Sequence, residues 1–156
     1  MKLDRHDLRI LDELQKNARI TNQDLADKIG LSPSPCLRRV KALEESGIII
    51  DQVSRLNPSA LGLKLCAFVH ISLDRHTPER FESFERQVLN YPEVMECHLI
   101  AGQSADYMLK VIVPDMEHYH EFLITKITPL EGVTGAHSSF VLRNPVNRTA
   151  LPLPIQ

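Results

Sequence analysis

The sequence predicts an α+β chain, with an N-terminal winged helix-turn-helix followed by a ferredoxin-like βαββαβ domain. Residues 1–47 contain three short helical patterns with end signals, and only Leu31 separates the second from the third. Residues 65–142 alternate between β-branched runs and two helical patterns in the order β-α-β-β-α-β. The turn-forming residues 57–62 place the domain boundary, which gives domains of residues 1–60 and 61–156.

The first two helices are indicated by their caps. Asp4 and Asp7 form a capping-box-like pair at the start of a helix over residues 4–17. Its apolar face carries Leu8, Leu11, Leu14 and Ala18. Thr21 and Asp24 start a second helix, which Gly30 ends. A second helix that ends at a glycine shortly before a third is typical of a helix-turn-helix.

The third helix is predicted between Ser32 and Gly47. Ser32 caps it, Pro33 occupies the first helical position, and Gly47 follows its last turn. Three-residue spacing predicts an inward apolar stripe of Leu37, Val40 and Leu43, and an outward face of Ser34, Arg38, Lys41 and Glu45. Considered alone, this segment is better explained as an ordinary amphipathic surface helix, and its neighbours change that interpretation.

The remaining elements follow from alternation and turn residues. The β-branched run 48–56 predicts one or two short strands, the wing of the first domain. The second domain is predicted to have strands over 65–73, 94–101, 107–113 and 133–142, and helices over 78–90 and 115–127. The tail after Leu142 contains three prolines, which predict an extended segment.

Charge by itself does not assign a nucleic-acid partner. The net charge is −2. Residues 1–60 hold ten Lys and Arg against nine Asp and Glu, and residues 61–156 hold eight against eleven. The first domain is therefore only marginally basic, and DNA binding would depend on local placement of charge and on a second copy of the site.

Several other classes of protein are disfavoured. No run approaches the roughly 18 apolar residues of a membrane span, and the charged start lacks the apolar run of a signal peptide. Three widely spaced cysteines fit a reduced cytoplasmic setting. No metal-ligand spacing, phosphate loop or nucleophile–base pattern is present, so an enzyme is disfavoured and neither a metal nor a cofactor is expected.

Motifs from both domains together resemble one family, the Lrp/AsnC ("feast/famine", leucine-responsive) transcriptional regulators. In the first domain they are Leu3-Asp4, Asp7, Ile10-Leu11, Asn17–Arg19, Leu25-Ala26, the run Gly30–Glu44 and Gly47-Ile48. In the second domain they are Pro92–Val94, Ala101-Gly102, Asp106-Tyr107, Gly132-Val133, Ser138–Phe140 and Thr149–Pro152. The resemblance covers essentially the whole chain.

The resemblance implies a DNA-binding regulator that senses amino acids. Such proteins join a winged helix-turn-helix to a "regulation of amino-acid metabolism" (RAM) domain, and their homodimers often assemble into octamers. Two departures stand out. The turn Gly102–Tyr107 is one residue longer than the family's Gly-x-x-Asp-Tyr, and Arg143–Asn147 replaces a segment in which the family usually has a lysine.

The third helix is the recognition helix that this resemblance implies. Cations and hydroxyls on such a helix suit phosphates and base edges, and its first-turn N–H groups suit a phosphate. The predicted DNA-binding residues are Thr21, Asn22, Ser32, Ser34, Pro35, Arg38, Arg39 and Lys41. Arg39 lies nearest the packing stripe, so part of its predicted role is to hold one helix against another.

The longer turn is the predicted site of an amino-acid effector. A glycine-containing turn offers N–H groups to a carboxylate, and an aspartate can pair with an ammonium. The predicted effector-binding residues are Gly102, Gln103, Asp106, Tyr107, Ser138 and Ser139. Without the family resemblance, the same turn fits a plain β-hairpin connection with Asp106 at a strand end.

The sequence thus predicts a cytoplasmic, sequence-specific regulator that binds double-stranded DNA, responds to an amino acid and controls genes of amino-acid metabolism or transport. The alternative is an architectural protein that wraps DNA without responding to a ligand. An enzyme with a ferredoxin-like catalytic domain is the third possibility, and no catalytic constellation supports it.

Overall fold

The chain forms two compact units in a computed structural model that describes residues 2–102 and 104–154. The first unit comprises residues 2–55 together with the tail 145–154, and the second comprises residues 56–144. The sequence placed the tail in the second domain because it follows that domain directly. In the structure the tail belongs to the first unit instead, where the Gln15 side chain donates to the Leu151 carbonyl (2.9 Å) and accepts from its N–H (2.8 Å).

Three helices build the first unit, as the sequence predicts. They are α1 (Arg5–Lys16), α2 (Asn22–Ile29) and α3 (Pro33–Glu45). The capping box between Asp4 and Asp7 is present, and Gly30 ends α2 with a φ of 82°, a left-handed value that favours glycine. Their core consists of Ile10, Leu25, Ala26, Ile29, Cys36 and Leu43.

The predicted wing strands are absent. Residues 48–56, all of which the structure describes, form no strand. Ile50 is 89% exposed, and Val53 and Leu56 are also exposed. A strand needs a neighbour to pair its N–H and C=O groups, and β-branched composition by itself does not supply one.

The second unit is a four-stranded antiparallel sheet with its helices on one face. Its elements are β1 (Leu65–Leu73), α4 (Pro78–Val88), β2 (Val94–Leu99), β3 (Tyr107–Val113), α5 (Met116–Phe122) and β4 (Val133–Phe140). A π-helical turn over Leu123–Ile127 extends α5. The strand order β2-β3-β1-β4 is that of the predicted ferredoxin-like pattern.

Alternation along the two central strands separates the core from an open face. Every second residue is buried from Ala67 onward in β1 and throughout β3. These residues, among them Val69, Ile71, Leu109 and Val111, pack with Phe84, Tyr119 and Phe122 from the helices. The residues between them point away from the helices and are half-buried. That open face carries Phe68, Met108 and Ile112 beside Lys110.

Candidate nucleic-acid interface and ligand site

The rotation of α3 is set by the residues it buries. Cys36 and Leu43 are fully buried in the three-helix core, and Val40 packs partly against it. Leu37, which the sequence assigned to the inward stripe, is instead 45% exposed. The stripe therefore runs through Cys36, because a cysteine behaves as a small hydrophobe and fits closely against neighbouring helices.

The outward face of α3 is polar and available. Ser34, Arg38 and Lys41 are exposed, whereas Pro35 is half-buried. Neither cation makes an ion pair with any residue that the structure describes. Ser32 occupies the N-cap position, and its hydroxyl makes no capping hydrogen bond to a described residue. Hydroxyls, cations and first-turn N–H groups therefore share one surface.

Arg39 has a different environment from Arg38. Its Nη1 donates to Asp4 Oδ2 and to Asp7 Oδ1, both at 2.7 Å, so it ties α3 to the cap of α1. Asp7 is only 6% exposed. The hydrogen bonds to Asp7 and Asp4 raise the pKa of the Arg39 guanidinium. Of its two predicted roles, the structure accounts for the one that holds helix to helix.

The two predicted contacts at the start of α2 are also engaged locally. Thr21 Oγ1 accepts from the Asp24 N–H (3.1 Å) and donates to the Asp24 carboxylate (2.7 Å). Asn22 Nδ2 donates to the Pro33 carbonyl at 2.9 Å. Its Oδ1 is buried and has no hydrogen-bond partner among the described residues. Asn22 therefore joins the starts of α2 and α3.

Asp106 is anchored at the end of the predicted effector turn. Its Oδ2 accepts from the Leu73 N–H at 2.7 Å, and its Oδ1 lies 2.7 Å from His76 Nε2. The Asp106 side chain is 19% exposed, whereas that of His76 is mostly exposed. Both carboxylate oxygens of Asp106 thus have a partner within this chain. The partner of Oδ2 is a backbone N–H, whereas the partner of Oδ1 is the exposed His76 side chain, which can move away into solvent.

The rest of the turn is held against β1. The Ser72 hydroxyl donates to the Ser104 carbonyl at 3.0 Å, and the Asp106 N–H donates to the Ile71 carbonyl at 2.8 Å. Gly102 is exposed, and Gln103 lies outside the described residues.

Tyr107, another predicted effector residue, belongs to the core. It is 1% exposed, and its hydroxyl donates to Glu85 Oε1 at 2.6 Å. Burial raises the pKa of this phenol, and the hydrogen bond to Glu85 adds to the effect. The side chain therefore supports the strand behind the turn and offers little surface to a ligand.

The two predicted serines lie away from the turn within one chain. Ser138 pairs with Val69 at the middle of β1 and hydrogen-bonds through its hydroxyl to Tyr119. Ser139 is exposed and points to the open face. The turn instead lies at the Ile71–Leu73 end of β1. The separation is about three residues, roughly 10 Å, along the strand and two strand spacings across the sheet.

Two family models match the chain. "Winged helix-turn-helix DNA-binding" matches residues 3–50, and "Lrp/AsnC ligand binding domain" matches residues 66–151. The leucine-responsive regulatory protein of Escherichia coli K12 is 44% identical over 140 residues, which cover 90% of this chain and 85% of that protein. The chain belongs to the Lrp/AsnC family.

Solved structures of Lrp/AsnC proteins support the same family assignment. A transcriptional regulator from Neisseria meningitidis, solved as an L-Met complex, superimposes with a TM-score of 0.93 at 39% identity, covering 98% of each chain. Escherichia coli AsnC superimposes with a TM-score of 0.89 at 28% identity, covering 97% of this chain and all of that one. These relatives are transcriptional regulators rather than enzymes, and the present chain is a DNA-binding regulator of the Lrp/AsnC type.

Two residues of the candidate sites have positions that the sequence pattern did not predict. His76 follows β1 and reaches Asp106 across 30 positions of the chain, a contact that no periodic pattern signals. Leu37 was misassigned because it lies three residues before Val40, whereas the buried residue of that stripe is Cys36, four residues before Val40. In this Lrp/AsnC protein, within residues 2–102 and 104–154, no group of three His, Cys, Asp or Glu side chains could hold a metal ion, and no helix is both long and apolar enough to cross a membrane.

Proposed function

We propose that the outward face of α3 reads the major groove of double-stranded DNA. Ser34, Arg38 and Lys41 face the bases and their flanking phosphates, and Ser32 with the first-turn N–H groups meets a phosphate. The observation that carries this assignment is the contrast between two adjacent arginines. Arg39 is bound to Asp4 and Asp7, whereas Arg38 is exposed and makes no ion pair with a described residue.

The remaining predicted DNA contacts act at the edge of this face. Pro35 lies beside Ser34 and is half-buried, so its ring borders the groove. Thr21 and Asn22 lie at the start of α2, where they approach the DNA backbone while holding the two helices together. Arg39 positions α3.

Replacing Arg38 with alanine tests the proposed face. We expect specific DNA binding to weaken by about 1–3 kcal/mol without loss of folding, because the side chain is exposed and its contact with DNA would be charge-assisted. The measurement is a binding titration at fixed salt with DNA selected by the full-length protein. Arg86→Ala, which removes an exposed arginine from α4, is the matched control. Equal affinity of the Arg38 variant and the wild type would remove Arg38 from the face.

We further propose that the second unit binds a free amino acid. The match to a ligand binding domain and the L-Met complex of the Neisseria regulator support an amino-acid ligand. Its ammonium pairs with Asp106 Oδ1 and displaces His76, and its carboxylate meets N–H groups of the turn that starts at Gly102. Ser138 and Ser139 would join such a site only from another copy, since they lie far from the turn in the same chain.

A thermal-shift panel of the common amino acids tests this ligand. An effector at 100 times its Kd should add about 2.7 kcal/mol to the folded state, which is roughly 5–10 °C for a protein of this size. Asp106→Asn keeps an acceptor for the Leu73 N–H and removes the charge that pairs with an ammonium, so we expect it to abolish the shift. A flat panel on the wild type would favour ligand-independent architectural binding instead, and an equal shift in the Asn variant would remove Asp106 from the site.

Assembly and cellular context complete the proposal. The marginal charge of residues 1–60 favours a homodimer that presents two recognition helices, and dimers are proposed to assemble further into octamers. Residues 1–60 would bind DNA, and residues 61–144 would sense the effector and assemble; the tail that was predicted with this second domain belongs to the first unit. The protein would act in the cytoplasm. Its target genes would be those of amino-acid metabolism or transport, consistent with relatives named as leucine-responsive regulatory proteins.

A further inference from the structure

Leu37 is an apolar side chain on an otherwise polar recognition face. It is 45% exposed, whereas the neighbouring Cys36 is fully buried in the three-helix core. Ser34 precedes it by three residues and Lys41 follows it by four, so these three side chains lie next to one another on the helix surface. Arg38 flanks the same position and is also exposed.

This position lies in the part of the helix that meets base edges. In helix-turn-helix proteins the N-terminal residues of the second helix contact the bases. Leu37 is the fifth residue of α3, roughly one and a half turns beyond the N-cap Ser32. The neighbouring cations Arg38 and Lys41 can bind phosphates and hold the helix in the major groove. This would place Leu37 against the base edges at the floor of the groove.

We propose that Leu37 contacts the C5-methyl group of a thymine and so selects that base at one position of each half-site. Leucine has no hydrogen-bonding atom in its side chain, so it cannot read the donor and acceptor groups of the other bases. The thymine methyl is the apolar group that the major groove presents. Contact removes both apolar surfaces from water.

The flanking charges favour DNA over a protein as the occupant of this surface. An apolar protein partner would have to bury Arg38 and Lys41 next to Leu37, and unpaired buried charges are strongly unfavourable. A polyanion with an apolar group on its groove floor matches the face without that penalty. The inference rests on the proposed DNA-reading face and adds a base preference to it.

Replacing thymine with uracil isolates the contact, because uracil lacks only the C5-methyl group. A preferred site is first selected from random duplexes with the full-length protein, and each thymine in it is then replaced in turn. We expect uracil at one position to weaken wild-type binding roughly fourfold for each half-site, the effect of one methyl group. Leu37→Ala should bind the thymine duplex more weakly and lose nothing further with uracil at that position.

Two further variants make the result decisive. Leu89→Ala removes an exposed leucine that follows α4 and should respond to uracil as the wild type does. Leu37→Gln keeps the length and helix propensity of the side chain, and replaces Leu37→Ala in the comparison if circular dichroism shows that the alanine variant is unfolded.

The inference is overturned if no thymine is sensitive to the methyl group in the wild type, or if the Leu37 variants keep the full sensitivity. A wild type that selects no sequence would reject the proposed specific face together with the contact. Methyl sensitivity that the Leu37 variants retain would reject the contact alone.

Discussion

Arg38 and Arg39 show how adjacent residues of one type acquire different roles. Successive side chains on a helix point about 100° apart, so only one of the pair can face α1. Arg39 is that residue, and its Nη1 binds Asp4 and Asp7, which already form the capping box of α1. Arg38 is left to solvent and available to DNA.

Replacing Arg39 with alanine should destabilise the protein. Asp7 would lose a charge-assisted hydrogen bond while remaining buried, so we expect a loss of about 1–3 kcal/mol in the free energy of unfolding. Urea unfolding followed by circular dichroism measures it. Arg38→Ala is the matched control and should stay within roughly 0.5 kcal/mol of the wild type. Similar losses in both variants would show that the pair with Asp7 contributes little.

At the scale of elements, the turn before β4 depends on a single glycine. Gly132 has a φ of 90°, a left-handed value that side chains disfavour. A Cβ there would also lie 2.6 Å from both Cδ and Nε of Arg80. Arg80 is held in place because its Nε lies 3.0 Å from Asp74 Oδ1 and its Nη1 lies 3.1 Å from Glu131 Oε1. The ion pairs of Arg80 therefore connect α4 to the turn before β4 and to the residue that follows β1.

Gly132→Ala should strain both the backbone and this ion-pair cluster. We expect it to lower the free energy of unfolding by about 1–3 kcal/mol, measured by urea titration. Gly135→Ala is the matched control in β4, because its Cβ would meet Ser72 at an ordinary 3.8 Å. Equal free energies of unfolding for the two variants would contradict this prediction, because they would show that Arg80 moves away from the new Cβ without destabilising the protein.

At the scale of the whole molecule, the open face of the sheet should mediate self-association. Phe68, Met108 and Ile112 lie half-buried on the side opposite the helices, and such a face is suited to stacking on a second copy. A paired arrangement would also present two recognition helices, which a first domain of nearly balanced charge requires for tight binding.

Light scattering after gel filtration should give a mass that is a multiple of the 17.7 kDa chain. We expect Ile112→Glu to reduce that mass, because it places a charge within the stacked face. Ile124→Glu is the matched control, since Ile124 is exposed in the turn that extends α5. A wild-type mass of one chain, or an unchanged mass for Ile112→Glu, would contradict this assembly.

The sequence by itself determined most of the elements and the family. The N-cap residues Asp4, Thr21 and Ser32 and the alternation over Leu65–Leu73 are local signals, and they predicted the helix starts and the bounds of β1 closely. Motifs spread over both domains predicted the Lrp/AsnC resemblance, which the family models confirm.

Only the tertiary structure decided which side chains of the candidate sites are exposed and which are held by other residues. The exposure of Leu37 in place of Cys36, the engagement of Arg39 with Asp7 and the pairing of Asp106 with His76 all depend on contacts between segments distant in sequence. The one or two wing strands predicted over 48–56 are absent for the same reason, since a strand's pairing partner is not encoded locally. Periodicity indicates that a helix has an inward face, but the neighbours it packs against set its rotation to within one residue.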